Sequence, residues 1–225
     1  AGDVPMCNVY ADLAPKSAAV DAPLVILGSH YDTKRLGPKF VGANDGGSST
    51  AVLLELARIL AQNPPQRLAL RFLFLDGEEA FNQQWAGKDN TYGSRHHADA
   101  IRSQAVLYAR LKAFVLLDLV GDRDLKLTTD TNSTRSLREL FTAVARENGL
   151  AEIVGGFEQA IKDDHLSFRK HNVDAIDLID LDYEWWHTDE DTLDKCAPES
   201  LGKIGKLVLH AIPRLEERYA PPLSR

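Results

Sequence analysis

Two cysteines in 225 residues are too few for a disulfide scaffold or a cysteine-built metal site. Cys7 and Cys196 could pair, but buried free thiols are the expected state. No apolar run approaches the ~20 residues needed to span a bilayer. There is no clustered Lys/Arg stripe, and the net charge of -7 argues against a nucleic-acid partner. A glycine-rich stretch is present at 42–47, yet no Gly-Lys-Ser/Thr follows it, which sets nucleotide binding aside. The chain begins Ala-Gly-Asp, with neither an initiator Met nor a signal peptide, so a trimmed form is expected. Internal repeats, low-complexity tracts and domain linkers are missing too. Residues 1–225 therefore read as a single catalytic domain, long enough for a full core.

What is present is organised around Phe72 to Glu79, Phe-Leu-Phe-Leu-Asp-Gly-Glu-Glu. The apolar run, preceded by Leu68, Ala69 and Leu70, reads as a strand buried on both faces, the kind found in the middle of a parallel sheet. It breaks at Gly77 and delivers Glu78 and Glu79 at the strand's C-terminal end, the edge where open α/β sheets place ligands. Neighbouring carboxylates on a turn diverge, so one can hold a metal while the other faces substrate. Taken alone, such a pair is more simply a solvated acidic turn.

The rest of the chain repeats the pattern. Met6–Leu13 reads as a first strand, and Leu24–Leu27 as a second that runs into Ser29-His30-Tyr31-Asp32. The turn at Phe40–Ser49 carries Asn44 and Asp45 and leads into a helix with Val52, Leu53, Leu56, Ile59 and Leu60 on one stripe. Ser94 is positioned to cap a helix over Arg95–Arg110. Phe114–Leu119 is a central strand carrying Asp118, and Thr134–Asn148 is an amphipathic helix stopped by Gly149. A short helical turn follows Asp163-Asp164-His165. Ala175–Leu181 is the next strand, with Trp185-Trp186-His187 beyond it. Pro198 suits the first turn of a last helix. Alternating strand and helix give an α/β chain, a three-layer α/β/α sandwich around a mixed, mostly parallel sheet. His30, Asp45, Glu79, Asp118 and His187 each follow a different apolar run and would converge on one sheet edge.

That order of donors suits zinc, which takes His nitrogen and carboxylate oxygen and keeps one position open in catalytic sites. The series His30, Asp45, Glu78-Glu79, Asp118, His187 resembles the zinc-aminopeptidase superfamily. Local sequences resemble one branch more closely, the glutaminyl cyclases (glutaminyl-peptide cyclotransferases). The matching pieces are His30-Tyr31-Asp32, Gly42-Ala43-Asn44-Asp45, Asp76-Gly77-Glu78-Glu79-Ala80-Phe81, Tyr92-Gly93-Ser94-Arg95, Leu117-Asp118-Leu119-Val120-Gly121, Asp163-Asp164-His165 and Trp186-His187-Thr188. They span nearly all of His30–Leu193. The Asp-Gly-Glu-Glu-Ala-Phe, Asp-Asp-His and Trp-His-Thr pieces belong to the cyclase branch, whereas ordinary aminopeptidases share only the ligand skeleton.

The resemblance implies one zinc per chain held by Asp45, Glu79 and His187, with Glu78 as general acid/base. It implies that Asp118 and Asp163 form a hydrogen-bonded carboxyl pair beside Glu78, and that Trp85, Tyr183 and Trp186 wall the substrate pocket. Substrates would be peptides or proteins with an N-terminal Gln. Departures point to a bacterial member of this animal-type family. The loop Ile179–Glu184 is one residue shorter than its proline-rich counterpart, Ser29 stands where a cysteine does, Trp85 sits one position late, and the family's N-terminal helical segment has no counterpart. A monomer is expected, and an extracytoplasmic compartment is favoured by the resemblance alone. The rivals are a two-zinc aminopeptidase and a catalytically silent binding module. Elsewhere the simplest readings are structural: His30 near the metal without binding it, His96 and His97 at a solvated helix start, Asp164 and His165 capping the short helix, and Asp189-Glu190-Asp191 an exposed loop.

Overall fold

The computed structural model describes residues 4–82 and 84–220; the chain start at Ala1 lies outside them. Among the described residues a five-stranded sheet runs in the order β1-β3-β2-β4-β7. Its strands are β1 (Val9–Leu13), β2 (Leu24–His30), β3 (Ala69–Leu75), β4 (Leu111–Asp118) and β7 (Asp174–Ile179). β1 pairs antiparallel with β3 at one edge, and all other pairings are parallel. A small parallel pair, β5 (Thr129–Asp130) with β6 (Glu158–Gln159), lies apart from it.

Period-2 alternation divides the strand side chains between two cores. Val25 and Leu27 of β2 and Val115 and Leu117 of β4 face helices α1 (Ser49–Gln62), α4 (Arg135–Glu147) and α6 (Pro198–Tyr219). Leu24 and Ile26 of β2 and Phe114 and Leu116 of β4 face α2 (Tyr92–Arg102), α3 (Ala105–Arg110) and α5 (His165–Arg169). Each buried Leu, Ile, Val or Phe contributes about 1.5–3 kcal/mol through removal of apolar surface from water. The second core is tightened by the stacked rings of Phe114 and Phe168, 4.1 Å apart. The mid-strand charge of Arg71 on β3 is neutralised by Asp12 at 2.7 Å on the neighbouring β1.

Strand ends shift by a few residues from the sequence reading, and one helix departs further. The helix expected over 95–110 begins earlier, at Tyr92, and breaks at Gln104, whose backbone is extended. Ser103 Oγ and Gln104 Nε2 both donate to the Ala100 carbonyl, so side chains satisfy the helix end and leave a fresh start for α3. Ser94 lies inside the first turn rather than ahead of it, with Oγ 2.9 Å from Ser167 Oγ. No helix among the described residues is long and apolar enough to cross a membrane. Both cysteines are free, Cys196 buried and Cys7 exposed.

Candidate active site

All four parallel strands end on the same side of the sheet, and the segments that leave them carry the acidic residues. After β2, the turn Ala43–Ser48 breaks at Asp45 (ψ 99°) and Gly46 (φ 86°), which turns the Asp45 carboxyl out of the helix direction. A Cβ at Gly46 would meet the Asp32 carbonyl at 2.8 Å, so only glycine fits there. Asp191 locks this turn: its carboxylate accepts the N–H of Asn44 at 2.8 Å and of Asp45 at 3.1 Å. After β3, Gly77 (φ 68°) reverses the chain, and Asp32 accepts the N–H of Glu78 and of Glu79, each at 3.1 Å. One device, a carboxylate bridging two successive amides, thus fixes both ligand-bearing turns. His187 sits in a tight turn with φ 55°, left-handed for a residue that does not favour it.

These turns bring two donor groups together around a shared carboxylate. One is Asp45, Glu79 and His187; the other is His30, Asp45 and Asp118. In the first, His187 Nε2 lies 3.1 Å from Glu79 Oε1 and 3.3 Å from Asp45 Oδ2. Ligands about 2.1 Å from a tetrahedral ion stand about 3.4 Å from one another, so both His187 separations are those of zinc ligands, and all three donor atoms lie within 4.8 Å of one another. Asp45 Oδ2 is buried without a hydrogen bond, as expected of an oxygen arranged for a cation, whereas Glu79 Oε2 faces the Lys34 ammonium at 3.4 Å. In the second group His30 is fully enclosed. Its Nδ1 lies 3.1 Å from the Asp32 carbonyl, which only accepts, so Nδ1 carries the hydrogen. Nε2 then faces Asp118 at 3.1 Å and Asp45 at 3.3 Å.

Charge follows the same geometry. Burial would lower the His30 pKa, but the charges of Glu78 and Asp118 raise it well above the usual imidazole range. Burial opposes charge at His187 as well, yet its pairing with the Asp45 and Glu79 carboxylates lifts it to about 9. Asp45 is held low by both histidines against its own desolvation. Glu78 and Asp163 move the other way: burial pushes each carboxyl well up, reinforced at Glu78 by Asp163 and at Asp163 by Asp118.

A cavity of about 340 Å³ opens over the first group. Its lining includes Asp45, Glu78, Glu79, Asp118, Asp163, His187, Trp85 and Trp186, with Leu119, Ile179 and Leu181 as apolar wall. Trp186 is 44 % exposed and stacks on the His187 ring at 4.2 Å. Tyr183, expected in that wall, is turned away from it. It is 4 % exposed and its hydroxyl donates to Asp191 at 2.9 Å, which makes it a brace behind the Asp45 turn.

Other readings change with the fold. Asp191 is fully buried rather than part of an exposed loop, because it serves three donors at once. His97 is buried against Arg71, Nε2 3.3 Å from the guanidinium, instead of solvated. Asp164 makes no side-chain cap to α5. His165 is fully buried, Nε2 3.1 Å from Asp130. Asp32, Asp191 and Lys34 are site residues that the sequence reading missed. The only signal for Asp32 was its place in the His-Tyr-Asp piece, and for Asp191 an acidic run indistinguishable from a solvated one.

The profile of peptidase family M28 matches residues 8–212. The glutaminyl-peptide cyclotransferase of Drosophila melanogaster is 31% identical over 89% of this chain and 63% of its own length. A glutaminyl cyclase of an Acidobacteriales bacterium, solved by crystallography, superposes with a TM-score of 0.88 at 38% identity, covering 95% of this chain and 74% of that one. A zinc aminopeptidase from Bacillus subtilis superposes with a TM-score of 0.75 at 25% identity, over 97% of this chain and 51% of its own. The chain spans about 60% of the length of the curated relatives it matches. With its profile matched over most of the sequence, the chain belongs to peptidase family M28.

Proposed function

We propose that this member of peptidase family M28 is a zinc-dependent glutaminyl-peptide cyclotransferase. It closes the N-terminal Gln of a peptide or protein to pyroglutamate and releases ammonia, with residues 1–225 acting as one catalytic domain and as a monomer. The observation that carries the reading is Asp163. Its buried carboxyl in the cavity wall, raised by desolvation and by the charge of Asp118, would keep a proton beside the second donor group, which disfavours a second cation there. The named relatives support it independently.

Asp45, Glu79 and His187 would hold one zinc, which when bound supplies Lewis acidity toward the side-chain carbonyl oxygen of the Gln. Everything else is positioning and proton transfer. The nucleophile, the substrate's own α-amine, is tethered to the carbon it attacks, so a cavity that holds the folded side chain supplies much of the rate. Trp186 and the apolar wall formed by Ile179 and Leu181 would clasp that side chain. Trp85, half-buried, would close the far side. Glu78 lies beside the ligands, and no ligand role is assigned to it. Its raised affinity for a proton suits a base that accepts the amine proton as the N–C bond forms and returns it to the amide nitrogen as that C–N bond breaks. Asp163, carrying a proton beside Asp118, would hold the departing nitrogen.

The rival is water activation by Glu78 between two zincs, as in an aminopeptidase. Incubation with Gln-peptides and Leu-peptides decides between them. A mass decrease of about 17 Da on the Gln-peptide alone is expected, the ammonia lost in acyl transfer. Free leucine at a comparable rate would establish the aminopeptidase.

A further inference from the structure

Lys34 is a buried lysine, 4 % exposed, on the loop that leaves β2. Burial of an ammonium is costly unless it is paired. Its Nζ donates to the Ala80 carbonyl at 3.0 Å and stands 3.4 Å from Glu79 Oε2. The other oxygen of the same carboxylate, Oε1, faces His187 Nε2 at 3.1 Å. Glu79 is therefore stretched between two directions, one oxygen toward the cavity and one toward a tethered cation behind it. Asp45 is stretched likewise: its Oδ2 faces His187 at 3.3 Å, and its Oδ1 faces the His30 ring at 3.3 Å.

We infer that Lys34 is a positioning residue that restricts Glu79 to one donor oxygen and thereby makes the Asp45–Glu79–His187 site four-coordinate. This rests on the reading that the triad holds zinc. A free carboxylate readily binds a divalent ion through both oxygens, which adds a ligand and fills the position a substrate carbonyl needs. With Oε2 held by the ammonium, each residue gives one atom and the fourth position stays open. Lys34 also offsets one of the two carboxylate charges among the ligands, so a bound divalent ion retains more positive charge toward substrate. Second partners of this kind commonly matter to a metal site nearly as much as its ligands.

Cobalt(II) loading of the full chain tests this without reference to turnover. Tetrahedral cobalt absorbs strongly in the visible, five-coordinate cobalt distinctly less, and centrosymmetric six-coordinate cobalt weakly. The native protein is expected to show the strong band. In Lys34→Met the band should weaken several-fold while one metal stays bound against a chelator. Lys34→Gln, which keeps an N–H donor for the Ala80 carbonyl, carries the same expectation if the Met variant folds poorly. A weak band in the native protein overturns the inference whatever the variants do. So does a native-like band in either folded variant, which would make Lys34 a structural ion pair only. Failure of the native protein to bind zinc or cobalt at all overturns the metal reading itself, and is told apart from the other outcomes by metal analysis.

Discussion

Two donor groups share Asp45, and they are built from the same residue types. Each has a histidine and a second carboxylate, yet on the proposed function one takes a cation and the other a proton. The difference lies in what surrounds them. His187 stands at the cavity with its side chain 19% exposed, and its partner Asp45 keeps a buried oxygen without a hydrogen bond. His30 is 1% exposed and pinned through Nδ1 by a backbone carbonyl, and its carboxylate Asp118 faces a further carboxyl, Asp163. Ligand identity alone does not make a metal site: access, uncommitted lone pairs and the neighbouring charge decide which cation is taken up.

The sharpest way to break this comparison is to remove a donor from each group in turn. His187→Ala or Glu79→Gln should lose the metal and with it nearly all activity, because three protein donors fall to two. His30→Asn should leave close to one zinc per chain. Equal metal loss in both sets, read by metal analysis after dialysis, would mean that the groups act as one two-metal centre. Next in size is Glu78→Gln, which preserves shape and removes basicity. Turnover should fall by roughly 10²–10⁴-fold with zinc retained. A Glu78→Gln variant that is fully active but metal-depleted would exchange the assigned roles of Glu78 and Glu79.

The asymmetry between the groups was only partly legible in the sequence. Strand-end carboxylates could be read from local pattern, since an apolar run followed by a break predicts where a side chain emerges. Asp45, Glu79, Asp118 and His187 were found that way, and the parallel order of the sheet brings their turns to one edge. The supports were not legible. Asp191 clasps amides 147 and 146 positions away, and Lys34 meets a carbonyl 46 positions away, contacts without any local signature. Tyr183 was placed in the pocket wall by the resemblance alone, but its hydroxyl follows Asp191 into the interior. Burial of that polar network, and not side-chain type, separates a brace from a wall.

Asp191→Ala measures how much the brace contributes. It strips two amides and a phenol of their acceptor inside the protein. With about 1–3 kcal/mol for each donor left unsatisfied, partly relieved by relaxation, a loss of about 2–4 kcal/mol in unfolding free energy is expected from denaturant titration. Asp45 should be the ligand that suffers, so metal affinity falls while Glu79 remains held by Asp32. A stable variant with native affinity would show that the turn holds itself.

The smallest effect is a slope, and it probes the proton in the closed group. Asp163 takes up its proton well above the ordinary carboxylate range in the folded protein, first through burial and then through Asp118 and Asp164. In the unfolded chain it titrates near pH 4. Above that value the folded state holds a proton that the unfolded state has released, so stability falls as pH rises, until the folded pKa is passed. Below about pH 4 both states are protonated and the contribution is flat. Asn cannot ionise, so Asp163→Asn should remove this dependence. Between pH 5 and the folded pKa, its stability should decline less steeply than that of the native protein, by up to about 1.4 kcal/mol per pH unit for one proton. The same variant should lose activity without releasing metal, because the neutral amide keeps the volume of the carboxyl but cannot exchange a proton with Asp118. Thermal unfolding across pH, with metal content followed in parallel, reads both quantities. Parallel stability curves for variant and native protein would show that Asp163 is ionised in the folded state. The closed group would then carry enough negative charge to hold a second cation, and the distinction between the two donor groups would collapse.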